Sequence, residues 1–411
     1  MAEKLDAVII GTGQAGKPLA GALADAGWKT AIIEKGRVGG TCVIEGCTPT
    51  KTMVASARVA HLARRAAEYG VRVGGVEVDL AAVRQRKRAV VDMFSTGSER
   101  GLRSHETLEL ILGEARFVGP HEVEVRLNDG GTRRLSAGKI FINAGARPRV
   151  PAIDGLDAVP HLDSTSVMEL DETPEHLIVL GGGFIGLEFA QMFRRFGAEV
   201  TIVERADRIA GPEDEDVAEA ITRILREDGI TVHAGMEVGR VDEQDGGGLA
   251  VQARLDDREY MLRGSHLLVA AGRTPNTDLL GLDAAGIETD ERGYVRVNER
   301  LETGVPGVYA LGDIAGSAPF THVAFDDFRV VRANLLDGGS RTTEDRLTPY
   351  TVFLDPELGR IGLSETEARD QGREFRVAKL PMERVSRAIE MDETRGFMKA
   401  VVDARTDRIL G

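Results

Sequence analysis

The chain has 411 residues, with 52 basic against 66 acidic side chains, a net charge of −14 and 42% hydrophobic residues. That length supplies two or three domains with real cores, and the acidic balance excludes nucleic acid and anionic membrane as main partners. No apolar run approaches a membrane span.

The segment Met1–Asp6 leads straight into an apolar strand, with no basic region and no cleavage site, so a cytoplasmic protein is expected. There a structural disulfide is disfavoured, and a close cysteine pair is more often catalytic or metal-binding. The two cysteines of this chain are Cys42 and Cys47. Zinc takes about four ligands. The nearest histidine is His61 and there is no second cysteine pair, so no metal site is expected.

In chain order, residues 5–34 read as a strand over Ala7–Ile10, a glycine turn, a helix, and a second strand ending in Glu34. Residues 175–204 repeat this without a gap, with a strand over Leu177–Leu180. Gly11, Gly13 and Gly16 match Gly181, Gly183 and Gly186, and Glu34 matches Glu204. In this fingerprint the first glycine makes the tight turn, and the second admits a pyrophosphate against the backbone. The third lets helix and strand pack closely, and the acid accepts from a ribose hydroxyl. The helix N-terminus faces the phosphates with free N–H groups. Two complete copies predict two dinucleotide sites. One brings hydride in and the other receives it, which suits a nicotinamide beside a flavin. The cysteine pair follows Glu34 and belongs to the first module, so the first site is expected to hold FAD and the second the nicotinamide nucleotide.

Residues five apart on an ideal helix have Cα atoms roughly 8–9 Å apart, whereas a disulfide needs about 4.4–6.8 Å. The segment between Cys42 and Cys47 must therefore leave helical geometry, and Gly46 makes that easier. Pro49 suits an early turn of a helix running through Lys51 to Glu68, with Cys47 near its positive end, where thiolate is favoured. The basic run Arg84–Arg88 reads as the solvated face of a helix. The acidic run Glu213–Asp216 reads as the first turn of a helix rather than a metal cluster. Thr321–Ala324 begins another helix. After residue 338, Thr351–Leu354, Phe375–Leu380 and Phe397–Asp403 read as strands, and Ser364–Glu367 as a capping box.

Several of these stretches together resemble the pyridine nucleotide-disulfide oxidoreductases: GGTCVIEGCTPTK (39–51), Gly113–Phe117, INAGARP (142–148), AAGRTPN (270–276) and TGVPGVYALGDIAG (303–316). The resemblance implies an α/β fold with two dinucleotide-binding, Rossmann-like three-layer domains and an α+β dimerisation domain. The FAD-binding domain would comprise 1–148 and 277–337, and the NAD(P)-binding domain 149–276. Residues 338–411 would form a homodimer interface domain, truncated at its C-terminus. Cys42 and Cys47 would be a redox disulfide, Cys47 facing the flavin and Cys42 attacking substrate, with Lys51 and Glu188 paired beside the flavin. The cofactor-binding residues would be Gly11, Gly13, Gly16, Glu34, Lys35, Gly40, Thr41, Ala115, Ala144, Gly145, Gly181, Gly183, Gly186, Glu204, Arg205, Gly272, Asp313 and Ala324. Ala115 would lie at the strand start that holds adenine, and Asp313 would bind the ribityl chain. The helix from Thr321 would aim at the flavin, and His322 is structural or flavin-contacting. Glu204 favours NADH by repelling a 2′-phosphate, with NADPH the alternative because Arg205 is adjacent.

The expected substrate is a small-molecule disulfide, as for dihydrolipoamide dehydrogenases. The segments FTHVAFDDFR (320–329) and RAIEMDETRGFMK (387–399) lean toward mercuric reductases, whose soft-metal substrate is the alternative. A quinone or dye reductase, and a shared flavoprotein subunit of a multienzyme complex, are further alternatives. Family members end in a histidine–glutamate pair or, for mercuric reductases, a second cysteine pair. No histidine here follows His322. Either the chain continues to such an end or this form is a truncation; if truncated, it is expected to bind FAD, to reduce disulfides poorly and to dimerise weakly.

Overall fold

The computed structural model describes residues 2–244, 247–344 and 346–411. In chain order the main helices are α1 (Gly16–Asp25), α2 (Gly40–Ile44), α3 (Cys47–Arg65), α4 (Leu80–Arg103), α5 (Phe184–Phe196), α6 (Glu215–Glu227) and α7 (Thr321–Leu336). Among the described residues, no helix is long and apolar enough to cross a membrane. The chain divides into two compact units. One comprises Met1–Thr50, Lys87–Arg147 and Arg273–Arg346, the other Lys51–Arg86, Pro148–Gly272 and Leu347–Gly411.

The first unit is built on a six-stranded sheet with Glu3–Ile10 between Thr30–Glu34 and Thr132–Ile142, all parallel. Their C-terminal parts, Ala7–Ile10, Ala31–Ile33 and Ile140–Ile142, are buried and read as continuous apolar runs rather than alternating ones, as parallel strands covered on both faces do. Leu108–Gly119 changes partner along its length. Up to Leu112 it runs parallel to Thr30–Glu34, and from Gly113 it pairs antiparallel with Glu122–Leu127. This corrects the expectation that Gly113–Phe117 starts a strand: Ala115 is buried in mid-strand. The glycine is required at the switch, since a Cβ on Gly113 would stand 2.6 Å from the Arg126 carbonyl oxygen.

The second unit repeats the motif with a four-stranded parallel sheet ordered His266–Val269, His176–Leu180, Glu199–Glu204, Thr231–Ala234. A three-stranded antiparallel sheet spans Met236–Glu243, Leu249–Leu255 and Arg258–Gly264. Beyond residue 347 come two hairpins, Tyr350–Val352 with Leu358–Arg360 and Phe375–Pro381 with Phe397–Asp403. The capping box is present, with Ser364 Oγ accepting from Glu367 N–H.

Two of the expected element boundaries and the exposure of one residue differ from the sequence expectation. The strand expected over Thr351–Leu354 lies one residue earlier and is shorter. The backbone N–H groups of Phe353 and Asp355 go to side chains of α5 instead of a neighbouring strand. The helix expected to reach Glu68 ends at Arg65 and tightens into a 3₁₀ turn over Ala66–Tyr69, closed by left-handed Gly70. The basic run lies on α4 as expected, but Lys87 is buried while Gln85, Arg86 and Arg88 face solvent.

Candidate active site

The first glycine turn is tied together by a residue that the motif analysis does not single out. Asn143 ends the strand Thr132–Ile142 and is buried. Its Oδ1 accepts from Gly16 N–H at 2.9 Å, and its Nδ2 donates to the Leu311 carbonyl at 2.8 Å. Gly11 has φ +100°, and a Cβ there would stand 2.4 Å from the Asn143 carbonyl oxygen. A polar residue at the end of the apolar run KIFIN is the available signal. Asn143→Ala would orphan a buried N–H and a buried carbonyl at once. It is expected to cost about 2–3 kcal/mol, read as a lowered thermal midpoint with reduced flavin occupancy.

Neither α1 nor α5 has a side-chain N-cap or an acidic residue in its first turn. In α1 the Gly16 N–H goes to Asn143 Oδ1 and the Lys17 and Leu19 N–H groups to the Gly13 and Ala15 carbonyls, so what each turn offers a pyrophosphate is the positive end of its helix dipole rather than a row of unpaired N–H groups. The closing acids are placed alike. Glu34 accepts from Thr12 N–H at 3.1 Å and Gly36 N–H at 2.9 Å. Glu204 accepts from Gly182 N–H and Ala206 N–H, both at 2.7 Å. Lys35 and Arg205 beside them are exposed.

The thiols sit where the helix breaks. α2 ends at Ile44, Glu45 leaves helical space at φ −130°, Gly46 follows, and Cys47 opens α3. A Cβ on Gly46 would meet the Thr41 carbonyl oxygen at 3.0 Å. Gly40, at φ +65°, brings this segment against Gly13, so close that a Cβ on Gly40 would stand 2.6 Å from Gly13 Cα. The two cysteines are not joined in a disulfide here, and Cys42 is half-buried and Cys47 exposed. Cys47 Sγ lies 3.2 Å from Thr321 Oγ1. A hydrogen bond with Cys47, then burial, pushes the Cys42 thiol up, against the Thr321 hydroxyl and the Lys17 ammonium. Burial lowers Lys17 itself, opposed by Cys42 and Glu34, and its Nζ donates to Ser98 Oγ at 3.2 Å. Sequence reasoning passes over Lys17, whose position directly after Gly16 is the one clue.

The segment after Leu311 adds a second support. Asp313 lies in a 3₁₀ turn over Gly312–Ala315, and burial raises its carboxyl above the usual range. Arg273 stands 4.0 Å away, with its buried Nε lacking a hydrogen-bond partner among the described residues. Asp327, fully buried on α7, accepts from Gly312 N–H at 2.7 Å, Ser317 Oγ at 2.9 Å and Arg346 at 2.8 Å. Ala324 is buried on the same helix. Ala144 and Gly145 are held from their carbonyls by Asn276, at 2.8 and 3.1 Å. Gly272 turns at φ +108° beside Arg149.

In the second unit the structure brings Lys51 and Glu188 together at 2.5 Å, their side chains 31% and 8% exposed. Lys51 follows Cys47 by one turn of α3. The other Glu188 oxygen accepts from Phe353 N–H at 2.9 Å, and Lys51 Nζ lies 4.6 Å over the Phe353 ring. Further along α5, Gln191 exchanges hydrogen bonds with the Asp355 backbone at 2.8 and 3.0 Å, and Arg195 pairs with the Asp355 carboxylate at 2.7 Å.

The acidic run does more than open a helix. Glu215 and Asp216 occupy the first turn of α6, but Glu213 and Asp214 precede it and are buried. Oxygens of Asp214, Asp216 and Glu365 lie within 4.8 Å of one another, a spacing suited to a cation. The cation is Lys399, whose Nζ reaches all three at 2.9, 2.7 and 2.9 Å. Burial pushes the Asp214 carboxyl up, yet bonds from Lys399, Glu365 N–H and Thr366 outweigh it and hold Asp214 well below the carboxylate range. Glu213 receives the Tyr350 hydroxyl.

Residues 5–327 match the family model described as pyridine nucleotide-disulphide oxidoreductase, and residues 348–411 match its dimerisation domain. The chain is 40% identical to the probable pyridine nucleotide-disulfide oxidoreductase RclA of Escherichia coli, over 99% of this chain and 88% of that protein. A solved structure of the Cu(II) complex of RclA, described as an HOCl-induced flavoprotein disulfide reductase, superposes with a TM-score of 0.89 at 39% identity, covering 99% of this chain and 88% of the other. Identity is 36% to a mercuric reductase of Streptomyces lividans, over 98% and 85% of the two chains. It is also 36% to a dihydrolipoyl dehydrogenase of Chlorobaculum tepidum, over 100% and 87%.

Proposed function

This chain belongs to the pyridine nucleotide-disulphide oxidoreductases, flavin- and pyridine-nucleotide-dependent enzymes, and from that premise we propose that it reduces a disulfide substrate through Cys42 and Cys47 with NADH as electron donor. The observation that carries this reading is the break at Glu45–Gly46, which turns two neighbouring thiols toward each other at the head of α3.

FAD, when bound, supplies the electron acceptor for the nicotinamide and the electron donor for the thiols. The first glycine turn, Glu34, Asp313 and the start of α7 would hold it, within the segments 1–148 and 277–337. The second turn and Glu204 would hold NADH, within 149–276, and 338–411 would form a homodimer interface. Cys47, at the positive end of α3, is the sulfur that retains negative charge most easily. Cys42 is the interchange thiol. Its thiolate attacks a substrate disulfide, forming one S–S bond as the substrate bond breaks and one substrate thiolate leaves. Cys47 then attacks Cys42 Sγ, closing the protein disulfide and releasing the second substrate thiolate. The substrate gains two electrons, the protein loses two, and the departing thiolates take protons from the dithiol or from water. Lys51, paired with Glu188, would supply a positive charge of the kind that favours an anionic reduced flavin.

A second reading takes a soft metal ion as substrate. It is favoured by the mercuric reductase relative and by the relative whose structure holds Cu(II), because a dithiol is a soft donor pair. NADH oxidation assayed with lipoamide, glutathione disulfide, Hg(II) and Cu(II) separates the two. Turnover with the metals alone would overturn the disulfide assignment.

The nucleotide preference has its own check. Glu204→Ala removes the carboxylate that would face the ribose hydroxyls and is expected to raise kcat/KM for NADPH relative to NADH by roughly tenfold. Steady-state kinetics with both nucleotides read that ratio, and an unchanged ratio would place the preference elsewhere.

A further inference from the structure

Two sulfurs and one hydroxyl meet at the start of α7. Thr321 is the first residue of that helix, and its Oγ1 stands 3.2 Å from Cys47 Sγ. The same hydroxyl also draws the Cys42 thiol down, against the rise that Cys47 and burial cause. Resting on the disulfide-reductase reading above, we infer that Thr321 is a catalytic residue of the dithiol, donating its single hydroxyl hydrogen to whichever sulfur carries the negative charge.

The thiol chemistry creates the need. In the first exchange the attacking charge is on Cys42, and in the second it is on Cys47. A fixed donor serves one of these steps better than the other. A hydroxyl has one hydrogen and a free rotor, so it can donate to either neighbour without moving its oxygen. Threonine adds stiffness: its branched Cβ restricts χ1 and so limits the positions its oxygen can take beside Cys47. Lys17 on α1 adds positive charge on the Cys42 side, with Glu34 beside the lysine. Those groups stay in place while the charge moves, and the hydroxyl is the part that can follow it.

The test uses FAD-loaded wild type, Thr321→Val and Thr321→Ser, each reduced, desalted and alkylated with iodoacetamide from about pH 5 to pH 10. Mass spectrometry quantifies the Cys42 and Cys47 peptides separately. Valine keeps the shape and removes the donor. It is expected to raise the alkylation midpoint of the more acidic sulfur by about one pH unit, a tenfold loss of thiolate below the midpoint. Serine is expected to restore the wild-type midpoint. If the valine protein does not fold, Thr321→Ala against Thr321→Ser makes the same comparison. Unmoved midpoints at both cysteines, in protein with full flavin absorbance and an unchanged thermal midpoint, would overturn the role of Thr321 and leave the disulfide chemistry standing. Disulfide turnover by a Cys42→Ser protein would instead overturn the disulfide reading, and the midpoints would still report on Thr321.

Discussion

Cys42→Ser is expected to lower NADH-dependent reduction of lipoamide or glutathione disulfide by roughly a thousandfold or more, while reduction of a small dye by the same preparation persists. The reason lies in what each step needs. Dye reduction draws on the nucleotide and flavin alone. Disulfide reduction needs a thiolate that can attack sulfur and afterwards be released by a second thiolate, and a serine hydroxyl is neither acidic enough nor able to form a reducible bond. Cys47 remains in this variant at the head of α3, so flavin binding and the acidity of the remaining sulfur provide internal controls. Parallel assays with both acceptors on one preparation decide the matter. Equal losses with dye and disulfide would mean that the substitution damages the flavin site, and retained disulfide turnover would remove Cys42 from the chemistry.

The largest stability effect is expected at Lys399. Its side chain is 11% exposed and Asp214 is 8% exposed, so the pair is screened little by solvent. Lys399→Met leaves three carboxylates facing one another with their shared cation gone. Lys379 still reaches Asp216 at 3.0 Å, and Asp214 keeps its bonds from Glu365 and Thr366. The expected loss is therefore about 2–3 kcal/mol, toward the lower end for breaking a buried pair. The pH dependence follows from the direction of the Asp214 shift. A carboxyl depressed in the folded state contributes stability above its unfolded pKa, about 4. That contribution is lost as pH falls through the lower folded value. The deficit of Lys399→Met should thus be full at neutral pH and shrink below about pH 4. Denaturant midpoints of both proteins at neutral and acidic pH measure it. A constant deficit would assign the effect to packing of the lysine stem.

What can be read in the sequence and what cannot differ by the distance of the partner. The glycine turns, the break before Cys47 and the capping box at Ser364 are set by residues within a few positions, so their spacing alone carries them. Asn143 is different, because it holds Gly16 from 127 residues away and Leu311 from 168. Lys399 reaches Asp214 across 185 residues. The acidic run reads as no more than the opening of a helix because its cation lies on a distant hairpin. Lys87 escapes for a related reason: a lysine in a charged run carries no mark of being the one residue that turns inward. Gly113 shows the converse case. The glycine stands out in the sequence, but its purpose is a change of strand partner, which no local pattern announces.

The polar side chains Glu188, Gln191 and Arg195 of α5 hold residues 353–355 chiefly through main-chain atoms, two amides and one carbonyl, with the Asp355 carboxylate paired to Arg195 and Leu354 buried in the same core as Leu187 and Phe193. The two amide contacts are indifferent to the side chains of the residues that make them, so the carboxylate that steadies Lys51 is anchored by backbone even though Leu354 and Asp355 are themselves held in place. A proline at 353 or 355 is the change this arrangement forbids, because it would take away the very N–H that the helix grips.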